Sequence, residues 1–326
     1  MSIAIPTRAE IDAAAERLRE HVRRTPILEV RGRDLGLGID SVILKLELLQ
    51  HTGSFKPRGA YNRILATEVP AAGLIAASGG NHAQAVAHAG TRLGIPTEIF
   101  VPETIPAIKL ARLRQYDAAV RLVGEYYDEA REASEVRAAE TGALVVHAYD
   151  QFEVVAGAGT LARELAGQVA GVDTVLVAVG GGGLMAGTVA WANGDFDVVT
   201  VEPERCPTLY AALAAGAPAD VEVGGLASDS LGARRIGEIA FAAAQRGVRA
   251  AVLVTDSAIR ETQRLLWDRL RLVAEPGGAT ALAALLSGAY VPTGDERVVA
   301  LVCGANTDPG SVQQDEELLG MGAESG

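Results

Sequence analysis

Short apolar runs alternate with helical patterns along most of the chain. Turn residues bound each run, and the segments between runs carry apolar residues at helical spacing. The runs predict about nine strands, at 42–47, 74–77, 98–101, 120–123, 144–147, 174–179, 198–201, 251–254 and 298–302. Helices are predicted at 8–22, 83–93, 109–115, 127–140, 160–166 and 257–272, with two more leading out from Ala60 and Leu184. This alternation predicts an α/β fold with mainly parallel sheets flanked by helices.

The turns that follow several of these strands carry the candidate chemistry. Ligands collect at the carboxyl ends of parallel strands. The run 42–47 leads to Lys56, the run 74–77 leads to a serine–glycine turn, and the run 174–179 leads to four consecutive glycines. Cys303 directly follows the last strand, 298–302. The pattern therefore predicts one site built from these turns.

Composition narrows the class of protein. The 326 residues are 49% hydrophobic, with a mean hydropathy of +0.19 and a formal charge of −12. The negative charge argues against a nucleic-acid or anionic-membrane partner. No apolar run reaches the length of a membrane span, and residues 1–8 lack a signal-peptide core. Two cysteines give neither a disulfide framework nor metal spacing, so we expect a cytoplasmic protein.

Lys56 lies between an aromatic residue and a proline on a strand-to-helix turn. Partial burial beside Phe55 would lower the pKa of its amine and free it for carbonyl chemistry. A lone lysine in a loop is more often simply solvated. The two glycine-rich turns elsewhere in the chain favour the catalytic interpretation.

The four-glycine loop, which consists of Gly180, Gly181, Gly182 and Gly183, precedes a helix at Leu184. Consecutive glycines let backbone N–H groups converge on an anion at a helix N-terminus, which predicts a phosphate site. A dinucleotide turn is an alternative, because Gly181-x-Gly183-x-x-Ala186 fits that pattern and Glu202 ends the next strand. A tight structural connection is the third alternative.

The Ser78 loop, which consists of Ser78, Gly79, Gly80, Asn81 and His82, is a second anion-binding candidate, suited to a small carboxylate. Asn81 could instead be a helix cap. For His82 alone, a buried, hydrogen-bonded ring is favoured over catalysis. Cys303 could be a small core residue or a neutral partner for a ring nitrogen.

Taken together and in order, these segments resemble the serine/threonine dehydratase group of fold-type II pyridoxal-phosphate enzymes. The resemblance runs from about Arg24 to Asn306, and the matching segments are 54–60, 78–82, 180–184, 201–204, 275–279 and 303–306. It implies a fold like that of the tryptophan synthase β subunit, with two open, mainly parallel sheets. It also implies a large cofactor-binding domain at 1–70 and 150–326, with a small mobile domain at 71–149 inserted within it.

The resemblance also implies roles. Lys56 would hold pyridoxal 5′-phosphate covalently and move the α-proton of the amino acid, and Phe55 would pack near the cofactor ring. Asn81 would bind the ring hydroxyl, residues 180–184 would hold the phosphate, and Cys303 would face the ring nitrogen. The Ser78 loop would bind the substrate, gripping its carboxylate. A homodimer is implied on the same ground.

Two departures from the family pattern change which reaction and which ligands we expect. Related racemases carry a second serine as a base where this chain has Gly79, so racemisation is disfavoured. Some members hold a divalent cation through an acid near position 208, which is Thr208 here, so no metal site is predicted.

The expected function is elimination of water from a 3-hydroxy amino acid, L-threonine or L-serine, giving a 2-oxo acid and ammonia. An ammonia-lyase for another 3-hydroxy amino acid, such as hydroxyaspartate, and a serine racemase are alternatives. A nicotinamide oxidoreductase built on Gly181 to Glu202 is the alternative from a different class, and a non-catalytic binding protein is a third. The oxidoreductase would leave Lys56 and residues 78–81 without a purpose.

Overall fold

A computed structural model describes residues 3–313 of the chain. The polar tail after Pro309 is predicted to be mobile, and most of that prediction falls on residues 314–326, which lie outside the described residues. Within 3–313, no helix is both long and apolar enough to cross a membrane.

Ten strands in the described residues form two sheets. The strands are β1 Ile27–Arg31, β2 Ser41–Lys45, β3 Leu74–Ala77, β4 Thr97–Val101, β5 Ala119–Leu122, β6 Leu144–Val145, β7 Thr174–Ala178, β8 Asp197–Pro203, β9 Val248–Val254 and β10 Val298–Leu301. The larger sheet has the order β1-β2-β10-β7-β8-β9 and is parallel except for β1. The smaller sheet, β5-β4-β3-β6, is entirely parallel. The predicted α/β class with two mainly parallel sheets is therefore confirmed.

Twelve α-helices connect these strands within the described range. They are α1 Arg8–Leu18, α2 Lys56–Leu65, α3 Asn81–Leu93, α4 Ala107–Leu113, α5 Tyr127–Thr141, α6 Phe152–Ala166, α7 Gly183–Ala192, α8 Thr208–Ala215, α9 Ser228–Leu231, α10 Glu238–Gly247, α11 Asp256–Leu270 and α12 Pro276–Leu286. The strands β7, β8 and β10 are buried along nearly their whole length, since helices cover both faces of the sheet. This explains why they read as continuous apolar runs.

Several predicted boundaries are wrong. Helix α1 ends at Leu18 rather than at residue 22, and further along the chain the backbone N–H of Arg23 donates to the side chain of Gln50 at 2.8 Å. Helix α6 begins at Phe152 rather than at 160. Its glycines disfavour helix in isolation, but Gly157 lets the helix approach α2 so closely that a Cβ atom would lie 2.3 Å from the carbonyl oxygen of Arg58.

Helices α8, α9, α10 and α12 have no counterpart among the predicted helices. Helix α12 is buried on all sides apart from its first and last residues, so it lacks the polar face that makes a helical period visible in a sequence. This Ala-rich helix packs against the larger sheet. Glu275, the residue just before it, therefore lies at the edge of the sheet where the candidate site is found.

Candidate active site

Two distant segments pair to bring Lys56 and Cys303 together. The backbone N–H of Phe55 donates to the carbonyl oxygen of Cys303 at 3.1 Å, and that of Ala305 donates to Gly53 at 2.8 Å. Ser54 and Gly304 form the bridge between these two bonds. The turn after β2 is thereby fixed beside the end of β10, its neighbour in the sheet.

Lys56 is the first residue of α2, and Pro57 follows it, as is common in the first turn of a helix. Its Nζ donates to the carbonyl oxygen of Ala148 at 2.8 Å and lies 5.0 Å from the centre of the Phe55 ring. Burial lowers the pKa of Lys56 to about 8. The amine is therefore far easier to deprotonate than that of an ordinary surface lysine.

A buried ion pair supports α2 two residues further on. Arg58 Nε donates to Glu47 Oε1 at 2.5 Å, and its Nη2 donates to Glu164 Oε2 at 3.0 Å. Arg58 and Glu47 are both essentially inaccessible to solvent. Loss of one member of such a pair leaves a buried charge without a partner. The start of α2, and with it Lys56, is held firmly against the larger sheet.

The four-glycine loop leads from β7 into α7 and presents unpaired backbone donors. Within residues 3–313, the N–H groups of Gly181, Gly182, Gly183 and Leu184 donate to no protein acceptor. Gly182 has a φ of 88°, a left-handed conformation that side chains disfavour. Free amides at a helix N-terminus, where the helix dipole is positive, suit an anionic group.

Tyr149 lies over this loop. A Cβ atom at Gly181 would lie 2.2 Å from the Tyr149 ring, and one at Gly183 would lie 2.9 Å from its carbonyl oxygen. The Tyr149 hydroxyl donates to the carbonyl oxygen of Arg235 at 3.3 Å, and burial raises the pKa of Tyr149 to about 12. Gly181 and Gly183 thus need to be glycine because Tyr149 packs directly on them.

Two further titratable groups face the same space. Burial raises the pKa of Cys303 to about 12, so its thiol is neutral at pH 7. Burial also raises the pKa of Glu275 to about 7. Neither group places a full charge on the cavity wall near neutral pH, which leaves Lys56 in a weakly polar setting.

The Ser78 loop opens α3 at the end of β3. Gly80 rather than Asn81 precedes the helix, and Asn81 is its first residue, so the prediction of Asn81 as a helix cap is wrong. Its side chain instead bonds to Glu275 and Asn306, at 2.6 and 2.7 Å. The Gly80 N–H donates to Ser78 Oγ at 3.2 Å, whereas the Gly79 N–H has no acceptor within the described residues.

The His82 ring is buried away from these groups. Its Nε2 lies 2.7 Å from the carbonyl oxygen of Val146, so this nitrogen carries the ring proton. Burial lowers the pKa of His82 to about 3, and the ring is neutral at pH 7. These contacts match the buried, hydrogen-bonded interpretation, while the substrate-binding role of His82 stays a prediction.

One cavity, which we call the lysine cavity, is lined by all nine of the predicted cofactor residues. Those residues are Phe55, Lys56, Asn81, Gly180, Gly181, Gly182, Gly183, Leu184 and Cys303. Gly80 and Asn81 line an adjoining cavity, the polar cavity, which also contains Lys109 and Arg112. Ser78, Gly79 and His82 are not among the residues that line either cavity.

Sequence reasoning gave no role to several residues at the site. Glu275 and Ser230 line both cavities, and Asn306 lines the polar cavity. Glu275 and Asn306 fall in segments that matched the family, and an isolated carboxylate before an apolar helix could have drawn attention to Glu275. The carbonyl oxygen of Ala148 carries no signal in a sequence.

Glu202 has a structural contact instead of a ligand. Its Oε1 and Oε2 accept backbone N–H groups from Leu209 and Tyr210, each at 2.7 Å, at the start of α8. The side chain is fully buried, and burial raises its pKa to about 7. Both oxygens bind backbone N–H groups inside the core, so the side chain is not accessible to a ribose hydroxyl. Within the part of the chain that the structure describes, no three His, Cys, Asp or Glu side chains form a metal-binding group.

One protein family and several known proteins match most of this chain. The family described as pyridoxal-phosphate dependent enzyme matches residues 18–304. The phenylserine dehydratase of Ralstonia pickettii is 37% identical over 311 residues, which is 93% of this chain and 94% of the relative.

Solved structures also resemble most of the chain, among them a threonine deaminase and a serine racemase. A threonine deaminase from T.th. superposes with a TM-score of 0.86 at 37% identity, covering 93% of this chain and 99% of that chain. The serine racemase of maize superposes with a TM-score of 0.89 at 28% identity, covering 98% of each chain.

Proposed function

Since the chain belongs to the pyridoxal-phosphate dependent enzyme family and is a lyase acting by β-elimination on hydroxy amino acids, we propose that its substrate is L-threonine, L-serine or both. The family uses pyridoxal phosphate, so the predicted cofactor and the resemblance are confirmed. The observation that supports the site assignment most strongly is the presence of one buried amine, one neutral thiol and the four-glycine loop around a single cavity.

The residues present fit this cofactor. Unpaired N–H groups of the four-glycine loop can donate hydrogen bonds to a phosphate, and the Cys303 thiol can pair with a ring nitrogen without transferring its proton to it. When bound, pyridoxal phosphate supplies the electron sink that acidifies the α-proton and lets the β-hydroxyl leave. We propose that Gly180, Gly181, Gly182, Gly183 and Leu184 hold the phosphate.

Phe55 and Asn81 complete the proposed cofactor site. Phe55 lines the lysine cavity and lies next to Lys56, so its ring can pack beside the cofactor ring. Asn81 lines the same cavity and can bind the ring hydroxyl. These two assignments rest on the family resemblance together with the position of the side chains.

Lys56 is the proposed attachment point and proton carrier. The sequence contains three lysines, at 45, 56 and 109. Lys45 is buried against Glu164, and Lys109 pairs with Asp229 at 2.6 Å. Lys56 Nζ has only a carbonyl oxygen as its hydrogen-bond acceptor among the described residues, so it loses little when it becomes neutral. A neutral Nζ would hold the cofactor covalently and, once the amino group of the substrate has replaced it there, would be free to take the α-proton of the amino acid.

The Ser78 loop is the proposed substrate site. Its free amides at the N-terminus of α3 can bind the substrate carboxylate, with Ser78, Gly79, Gly80, Asn81 and His82 forming the surrounding turn. Elimination removes one water from the amino acid, and hydrolysis returns one. The net products are a 2-oxo acid and ammonia, 2-oxobutanoate from L-threonine and pyruvate from L-serine.

A 3-hydroxy amino acid with a larger side chain is the second candidate substrate. The similarity to a phenylserine dehydratase supports an aromatic side chain, and Tyr149 would form part of the pocket wall. Hydroxyaspartate is a further alternative. Comparing these substrates at equal concentration, with detection of the 2-oxo acid, ranks them directly. Serine racemisation is disfavoured because Gly79 has no side chain to serve as a second base.

We also propose the domain division and assembly implied by the resemblance. All four strands of the smaller sheet lie within 71–149, which supports a small mobile domain inserted between 1–70 and 150–326. A homodimer and a cytoplasmic location are proposed as well. Both cysteines are buried and unpaired, which is compatible with a reducing compartment.

Reduction of the purified enzyme with borohydride tests the central assignment. The visible absorption band of the bound cofactor should be bleached, and peptide mapping should find the cofactor on Lys56. The other two lysines serve as internal controls in the same sample. Lys56→Ala should lose both the band and 2-oxo acid formation from L-threonine. Cofactor on Lys45 or Lys109, or normal turnover by Lys56→Ala, would show that the assignment is wrong.

A further inference from the structure

The Asn81 side chain is held at both ends by other side chains. Asn306 Nδ2 lies 2.7 Å from Asn81 Oδ1, and Asn81 Nδ2 lies 2.6 Å from Glu275 Oε1. Asn81 belongs to α3, whereas Glu275 and Asn306 belong to the segments that flank α12 and β10. The three residues therefore form one hydrogen-bonded row along the wall that separates the lysine cavity from the polar cavity.

The orientation of this row is fixed by a backbone group. Asn306 also lies 2.7 Å from the carbonyl oxygen of Thr52, and a carbonyl oxygen can only accept. The Asn306 atom that faces Thr52 must consequently be the amide nitrogen. The same nitrogen faces Asn81, which must turn its oxygen towards Asn306 and its nitrogen towards Glu275. Both N–H groups of Asn306 are then used.

The Asn81 nitrogen retains one unused donor. An amide nitrogen carries two N–H groups, and Glu275 accepts one of them. Within residues 3–313 the second has no protein acceptor, and Asn81 lines the lysine cavity together with Lys56 and Cys303. An amide turned by 180° would present an oxygen to the same space instead.

We propose that Asn306 and Glu275 are positioning residues that hold the Asn81 amide in this one orientation, so that its free N–H donates to an oxygen on the cofactor ring. The inference rests on the proposed function, because the acceptor belongs to pyridoxal phosphate. Neither positioning residue touches the cofactor in this proposal. Both act through Asn81.

Cofactor affinity and the visible absorption maximum test the proposal without relying on turnover. Asn306→Asp keeps the shape of the side chain but replaces the donor that faces Asn81 with an acceptor. It should weaken binding of pyridoxal phosphate to the stripped full-length protein about tenfold, the size of one hydrogen bond, and shift the absorption maximum. Glu275→Ala should act in the same direction. Glu275→Gln keeps an oxygen acceptor and should stay within roughly threefold of the unmodified protein.

A double-mutant cycle separates positioning from a general loss of structure. If Asn306 acts through Asn81, then Asn306→Asp should cause no further loss of affinity in an Asn81→Ala background. Additive losses, or an unchanged affinity and absorption maximum in both Asn306→Asp and Glu275→Ala, would overturn the proposal. Failure of the proposed site gives a different result, since borohydride reduction of the unmodified protein would then place the cofactor on Lys45 or Lys109 instead of Lys56.

Discussion

Two strand-to-helix turns in this chain have similar chemistry and very different surroundings. The four-glycine loop joins β7 to α7, and the Ser78 loop joins β3 to α3. Both present free backbone amides at a helix N-terminus. Around the first, a Cβ atom at Gly183 would lie 2.9 Å from the backbone of Tyr149, whereas at Gly79 the nearest atom would be Ile105 Cδ1, at 3.4 Å. One loop has no space for a side chain, and the other has.

This difference matches what each loop is proposed to bind. A resident cofactor stays in place through every turnover, so a closely packed loop does not slow the reaction. A substrate must enter and leave, so its loop needs space and a neighbour that can move. The second loop belongs to the smaller sheet, the part of the chain proposed to be mobile. Packing density around each loop therefore distinguishes a permanent ligand from a transient one.

Matched glycine substitutions should produce the largest difference between the two loops. Gly183→Ala forces the Tyr149 backbone to shift, next to the Ala148 carbonyl that holds Lys56. We expect the free energy of unfolding to fall by about 1–3 kcal/mol, as overpacking does, and cofactor affinity to fall about a hundredfold. Gly79→Ala should change stability by less than about 0.5 kcal/mol. Denaturant unfolding and cofactor titration measure both.

Equal losses in the two variants would contradict the comparison. Gly79 has no positive φ, so an alanine there carries no backbone strain that could imitate a packing effect. The two substitutions add the same methyl group at the same kind of turn. Any difference in stability or cofactor affinity between the two variants therefore reflects how much space each loop offers to a side chain.

The pH dependence of cofactor capture is the next largest expected effect. Burial lowers the pKa of Lys56 from 10.5 to about 8. Only the neutral amine attacks an aldehyde, so capture should become faster as the pH rises, by about tenfold between pH 7 and pH 9. Stopped-flow absorbance on the stripped protein measures the rate. A midpoint above pH 10, the behaviour of a free lysine, would show that the packing around Lys56 does not desolvate its amine.

The sequence predicts the two loops and the strands before them, but it does not predict the long-range contacts that make their surroundings different. The strands that precede both loops are buried and apolar. Each is therefore recognisable in the sequence as a short apolar run followed by glycines. Helix α12 has no polar face, and its period is therefore invisible. The contact of Tyr149 with Gly181 depends on residues 32 positions apart in the chain, and the contact of Asn306 with Asn81 spans 225 positions. Local pattern has no information on such distances, so family resemblance had to supply the roles.

The smallest expected effect concerns the space at Gly79. The Cβ atom of a serine there would meet only the side chain of Ile105, at 3.4 Å, so the Cβ atom fits without a backbone shift. The added hydroxyl gives the Ser78 loop a group that can carry a proton, which the unmodified loop lacks at this position. We expect Gly79→Ser to form D-serine from L-serine at roughly a few per cent of its elimination rate, because general acid–base groups added without tuned neighbours are weak. Chiral chromatography of the remaining serine measures this, with Gly79→Ala as the matched control. Substantial D-serine from the unmodified enzyme would mean that another group already serves as the second base, and the open space beside the Ser78 loop would then need a different explanation.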